Sequence, residues 1–164
     1  QLIRELTQGR LDMAIAALPV SEPTLTEAAL FDEDFVLVRP VADADQPVPN
    51  SEALREMRLL LLEEGHCFRD QALSFCNLQS GLPREVLDAS SLSTLVQMVS
   101  AGFGVTLIPE MAVVTETNSA AVSVAHFDSP RPSRQIGMLW RKSSPLAQQL
   151  GDIADILRQH CSPA

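Results

Sequence analysis

The residues of this chain best suited to chemistry lie in the stretch EEGHCFRDQALSFCNLQSGL, residues 63–82, which holds two of its three cysteines, Cys67 and Cys76. A thiol reacts as its thiolate, so neighbouring charge decides how reactive it is. His66 and Arg69 offer positive charge to Cys67, while Glu63, Glu64 and Asp70 oppose it. The stretch reads as helix from about Cys67 to Leu78, which places Cys67 where backbone N–H groups and the helix dipole favour an anion. Within a helix Arg69 points about 200° away from Cys67 and Asp70 is the nearer neighbour. At the N-cap, or in the loop before it, Arg69 can fold back over the sulfur. A modestly lowered thiol pKa is the expectation. Nine helical residues separate the two cysteines by roughly 13–14 Å along the axis and leave them on opposite faces. A disulfide needs Cα atoms about 4.4–6.8 Å apart. Either the pair never joins, or joining unravels the segment.

Each of these residues also has a plain structural reading. A buried cysteine often serves as a small apolar filler, and Phe75 and Leu78 give Cys76 an apolar setting. His66 alone would read as a surface turn residue. Arg69 could pair with Glu63 or Glu64 as a solvated charge of little energetic value. Cys161, next to His160 in the C-terminal tail, reads as a spectator, and His126 has no partner in view. Gly102 and Gly104 lack the G-x-G-x-x-G pattern of a phosphate loop, and a helix-to-strand turn accounts for them. With no C-x-x-C and no His/Cys cluster at zinc spacing, neither a metal nor a cofactor is expected.

The elements that must position this stretch alternate between helix and strand. Residues 1–9 form a helix that Gly9 stops. Leu11–Pro19 is a short apolar run that reads as a buried strand. Asp34–Pro40 is a second strand, and a Pro- and Asp-rich loop then leads to Ser51, the expected cap of a short helix over Glu52–Met57. Arg58–Glu64 reads as a strand, as does the stretch from Leu82 to Ala89. Ser90 or Ser91 caps a helix that puts Leu92, Leu95, Val96 and Val99 on one face and ends at Gly102. Strands over Gly104–Pro109, around AVSVAHF and over Arg134–Lys142 follow, with a short helix from Pro109 to about Val114. The last element is an amphipathic helix, Leu146–Gln159, with Leu146, Leu150, Ile153, Ile156 and Leu157 on its apolar side. This alternation implies an α/β fold with an open, largely parallel sheet. About seven strands with long crossovers suit two lobes, with hinges around Val38–Asp43 and Ser129–Ser133.

The 164 residues carry a net charge of −9 with His neutral, which argues against this piece gripping a phosphate backbone. No apolar run approaches the roughly 18 residues of a membrane span, so no membrane partner is expected. Three cysteines without a disulfide framework suggest a reducing, cytoplasmic setting. The chain opens on QLIRELTQGRLD, with Leu2, Ile3 and Leu6 at helical spacing and no capping residue, and so reads as a piece of something longer.

Three stretches carry a resemblance. LTQGRLDMAI resembles the G-x-L-D-x-A-I strand entry of the LysR-type transcriptional regulators. SSLSTLVQMVSAGFGVTLIPEMAV is similar to their capped helix, Gly-x-Gly turn and L-(I/L)-P strand. EEGHCFRDQALSFC is more specific and resembles the redox segment of the peroxide-sensing OxyR branch, both cysteines included.

That resemblance implies a two-lobed, periplasmic-binding-protein-like regulatory domain. Residues 1–38 and 134–164 would form lobe I, with its first strand and helix missing, and 39–133 would form lobe II. A DNA-binding winged helix-turn-helix would precede residue 1, and threonines of the upstream stretch would help line the peroxide pocket. The domain would self-associate as a dimer or tetramer, and RNA polymerase would be a partner. It implies further that hydrogen peroxide oxidises Cys67, that Cys76 resolves the product as a Cys67–Cys76 disulfide, and that a thiol reductant resets the switch. His66 and Arg69 would assist the leaving hydroxide, and Asp70 would orient one of them. Such chemistry is not enzymatic turnover. Two other functions fit less well: an effector domain binding a small metabolite in the interlobe cleft, and a thiol peroxidase.

Overall fold

Residues 1–63, 73 and 88–161 are described by the structure, a computed structural model. The chain forms two units, Gln1–Glu33 with Arg134–Ala164, and Asp34–Ser133. The sequence reading set the first of these divisions at residue 38 instead of 33.

The first unit is built around two small clusters of buried apolar side chains. Helix α1 (Leu2–Thr7) buries Leu6 completely, and Gly9, at φ +77°, turns the chain after it. Strand β1 (Met13–Leu18) runs antiparallel to β7 (Ser133–Arg141), from Met13 opposite Trp140 to Leu18 opposite Gln135. In the strand order, β7 lies between β1 and the long strand β2 (Leu25–Pro40). At Gly137 the neighbours come so close that a Cβ would sit 2.3 Å from the Leu18 side chain and 2.9 Å from the Ala28 carbonyl oxygen. Ala14, Leu25 and Leu139 pack with Leu6, while Leu30, Met138 and Trp140 pack with Leu150 and Ala154 of helix α5 (Ala147–His160).

Two expectations change in this unit. The run Leu11–Pro19 does not form a fully buried strand: Ala14 is buried, but Met13 and Ile15 are 39% and 49% exposed. Burial alternates at the start of β1, so that part of the strand is covered on one face only. The covered stripe of α5 is Ala147, Leu150, Ala154 and Leu157; Leu146, Ile153 and Ile156 stay exposed. Small alanines let the helix approach the sheet, and a stripe defined by large side chains alone misses them.

The second unit holds the larger core. Helix α2 (Ser51–Glu56) is capped by Asn50, whose Oδ1 accepts from the Ala53 N–H at 2.8 Å, and not by Ser51. Strand β3 (Leu61–Leu62) runs parallel to β4 (Asp88–Ala89). Helix α3 (Leu92–Ser100) begins at Ser91, whose Oγ accepts from the Thr94 N–H at 3.2 Å, and Gly102, at φ +81°, follows it. Leu95, Val96 and Val99 are fully buried on the expected face. Strand β5 (Thr106–Pro109), a 3-10 turn, helix α4 (Val113–Glu116) and strand β6 (Val122–His126) complete the unit. The closing half of β2 pairs antiparallel with both β5 and β6.

The expectation of a largely parallel sheet is therefore corrected: the ladders of β1 with β7, and of β2 with β5 and β6, are antiparallel. Parallel pairing needs a crossover of a dozen or more residues. Such length separates β3 from β4, which do pair in parallel, but it also separates each antiparallel pair, so connection length does not set the direction here. His126, expected to stand alone, places Nε2 2.9 Å from Glu110 Oε1. Both side chains are about half exposed, so the contact contributes little to stability.

Candidate redox site and its base

Cys67, Cys76, His66, Arg69 and Asp70 all lie outside the described residues, as does the helix expected over Cys67–Leu78 apart from residue 73. The structure does describe where this segment is anchored. The chain reaches it through Arg58–Glu63. Leu60 N–H donates to the Val105 carbonyl at 2.8 Å, and Val105 N–H donates to the Arg58 carbonyl at 3.0 Å. Thr106, fully buried, donates its hydroxyl to the Leu60 carbonyl at 2.9 Å. Leu59, Leu60, Leu61 and Leu62 are all buried in the second unit's core. Of these four leucines, Leu61 and Leu62 form β3 and Leu59 makes a single parallel bridge to Val105.

The chain returns beside the place it left. Leu61 lies opposite Asp88 and Leu62 opposite Ala89, and Glu63 N–H donates to the Ala89 carbonyl at 3.1 Å. Residues 64–87 thus start and finish on adjacent strands. Leu73, within this span, is helical and packs half-buried against the same core. Two residues after β4 the chain enters the Ser91 cap of α3, so the segment's exit leads directly to a helix whose inner face is buried.

Gly104 explains how this base packs so closely. A Cβ there would sit 2.2 Å from the Arg58 carbonyl oxygen, so a larger residue would force apart the strands that carry residues 59–62. The Gly102–Gly104 turn is therefore a packing device.

Other chemistry-bearing groups lie apart from this base. Cys161 is an exposed free thiol at the end of α5, and the His160 ring nitrogen Nδ1 lies 2.8 Å from the Ile156 carbonyl oxygen. Among the described residues no group of three or more His, Cys, Asp or Glu could hold a metal ion, and no helix is long and apolar enough to cross a membrane. In the second unit a recess of about 250 Å³ is lined, among the described residues, by Val48, Pro49, Asn50, Ser51 and the stretch from Phe127 to Pro130.

Two polar features escaped the sequence reading. Arg39 is buried and spends its guanidinium on backbone carbonyls, donating to Gln46 at 2.8 Å and to Ala44 at 2.7 Å. Glu33 is buried against Arg134, with two guanidinium nitrogens 2.6 and 2.7 Å from one carboxylate oxygen. Arg39 closes the apolar run FVLV, and a charge there was the available signal; Glu33, flanked by Asp32 and Asp34, offered none.

Comparison with known proteins places this geometry. The sequence pattern of one family, described as LysR substrate binding domain, matches residues 1–162. A probable hydrogen peroxide-inducible genes activator of Streptomyces viridosporus is 43% identical over 163 residues, covering 96% of this chain and 52% of that protein. The DNA-binding transcriptional dual regulator OxyR of Escherichia coli (strain K12) is 38% identical over 164 residues, covering 96% and 52%. A cysteine-to-serine mutant of Corynebacterium glutamicum OxyR, solved in its hydrogen peroxide-bound form, superposes with a TM-score of 0.85 at 36% identity, covering 96% of this chain and 51% of that one. The chain spans about half the length of these relatives.

Proposed function

The chain belongs to the LysR substrate-binding domain family, and from that membership we propose that it is the peroxide-sensing regulatory domain of a transcriptional regulator, switched by a reversible Cys67–Cys76 disulfide. One observation carries the proposal. Both cysteines, with the GHCFRDQA core around the first, fall in a span whose two ends are pinned side by side on β3 and β4. A span closed in this way can change its internal packing without separating its ends. The relatives named as peroxide-inducible activators, and the OxyR structure solved with hydrogen peroxide, support the same reading.

The chemistry balances with peroxide as the oxidant. The Cys67 thiolate attacks one peroxide oxygen, the O–O bond breaks, and hydroxide leaves and takes up a proton as water. Cys67 becomes a sulfenic acid. The Cys76 sulfur then attacks the Cys67 sulfur, forming the S–S bond and releasing a second water. His66 and Arg69 serve the leaving oxygen, and Asp70 orients them. A thiol reductant reverses the bond through a mixed disulfide. One event per chain suffices for a signal, so the domain acts as a sensor and not as a peroxidase.

The units Gln1–Glu33 with Arg134–Ala164 and Asp34–Ser133 are read as the cores of the two lobes. In the whole protein a winged helix-turn-helix ahead of residue 1 binds DNA, and dimer or tetramer contacts carry the redox state to it and to RNA polymerase. The setting is the reducing cytoplasm. A chain of net charge −9 leaves the DNA contact to that other segment.

Treatment with a small excess of hydrogen peroxide tests the proposal. The intact mass should fall by two hydrogens. Cys67→Ser should abolish the response, Cys76→Ser should leave a trappable sulfenic acid on Cys67, and Cys161→Ser should behave as the parent. Retention of both thiols would favour a metabolite-binding effector domain. Repeated peroxide consumption with a thiol donor would favour a peroxidase.

A further inference from the structure

Among the described residues β3 and β4, which carry the span 64–87, form a two-stranded sheet of their own. The chain entering β3 meets the larger sheet of the second unit where Leu59 and Val105 make an isolated parallel bridge. Beyond that bridge, Thr106 and Leu107 of β5 pair with Val38 and Leu37 of β2. A side chain carries the contact to the entering chain one residue further: the Thr106 hydroxyl donates to the Leu60 carbonyl at 2.9 Å. Its other contact, to the Leu107 carbonyl, is longer at 3.4 Å.

Thr106 is fully buried in a strand whose other members, Leu107, Ile108 and Pro109, are apolar. Threonine and valine have nearly the same shape, and both suit a strand. A buried hydroxyl costs free energy unless it is hydrogen-bonded. Packing alone would thus favour valine here, and what threonine adds is one donor aimed at Leu60. The exit of the span is held separately, because α3 follows β4 and buries Leu95, Val96 and Val99 in the same core. Loosening Leu60 would therefore free one end of the span and not the other.

We propose that Thr106 is a positioning residue for the thiol chemistry: its hydroxyl fixes the entry of the span, and with it the alignment in which the Cys76 thiol meets an oxidised Cys67. The inference rests on the peroxide-switch reading. It concerns the resolving step, in which the Cys76 sulfur attacks the Cys67 sulfenic acid, the S–S bond forms, and the sulfenic oxygen leaves as water with the thiol proton. A step between two positions of one chain depends on their alignment, and a misplacement of about 1 Å can cost about 100-fold in rate. The earlier attack on peroxide joins one sulfur to a small molecule and makes no such demand.

Rapid-quench oxidation of the whole chain tests the proposal, with sulfenic acid trapped by a 1,3-dione and the disulfide read by mass. In Thr106→Val the disulfide should form at least about fivefold more slowly, with more sulfenic acid trapped, while Cys67 is oxidised at the parental rate. Thr106→Ser keeps the donor and should resolve as the parent does. Gly137→Ala, a destabilising change in the other unit, should also resolve at the parental rate, which separates positioning from loss of stability. Parental resolution in Thr106→Val, or equal slowing in Thr106→Ser or Gly137→Ala, would overturn the inference. If Thr106→Val does not fold, Thr106→Ser decides: parental resolution supports the role of the hydroxyl, and slowed resolution overturns it. A parent whose mass peroxide leaves unaltered would remove the switch and this inference together. A parent that forms the disulfide no faster than Thr106→Val would remove this inference alone.

Discussion

Arg39 is satisfied by carbonyl oxygens instead of a carboxylate, and this makes it a structural latch for the loop at 44–47. Its Nε has no partner among the described residues, so the guanidinium is held by its two terminal nitrogens. Replacing Arg39 by Met keeps the apolar stem and leaves the Ala44 and Gln46 carbonyls without their donor. Chemical denaturation should show a loss of about 1–3 kcal/mol. A stability equal to the parent would mean that water replaces the guanidinium at no cost. At this scale sequence reading does well with local partners and poorly with distant ones. The cap of α3 was legible to within one residue, as Ser90 or Ser91, and Ser91 fills it because its oxygen accepts from a neighbour three residues on. Asn50 and Ser51 are both good caps by type, and the choice between them depended on backbone that the sequence does not display. Arg39, followed by proline at the end of an apolar run, looks like an exposed strand terminus. Glu110 lies sixteen residues from His126, too far for sequence spacing to pair them.

Elements were legible where a periodic pattern and a buried face coincided. Helix α3 shows the clearest case, with its cap, its apolar face and its closing glycine all agreeing. The first half of β2, LTEAALFDE, offered no alternation and was not assigned, because its pairing with β7 and not its side chains makes it a strand. Antiparallel pairing was hidden for a related reason: β1 and β7 lie more than a hundred residues apart, and direction follows from that distant partner. Gly137 marks the tightest point of this arrangement, with the Leu18 side chain and the Ala28 carbonyl both in the way of a Cβ. Gly137→Ala should lower stability by about 1–3 kcal/mol through overpacking, read as a fall in the denaturant midpoint. An unchanged midpoint would show that β1 and β2 can move apart freely.

For the molecule as a whole, the functional reading combines two kinds of information. The chemistry came from sequence, since the cysteines, His66, Arg69 and Asp70 stand together in one short motif. The mechanical setting came from structure, since the closing of residues 64–87 between β3 and β4 depends on strands that are two residues long and separated by more than twenty. Buried leucines at 59–62 and the capped α3 make that base firm. A firm base and a reactive insert are what a reversible switch needs: two packings of one segment on a scaffold that persists. The central claim is the bond itself, and a disulfide map of the peroxide-treated chain tests it most directly, with free thiols alkylated before digestion. The account predicts one crosslinked peptide joining Cys67 to Cys76, with Cys161 alkylated. A crosslink from Cys67 to Cys161, or alkylation of both Cys67 and Cys76 after peroxide, would contradict it.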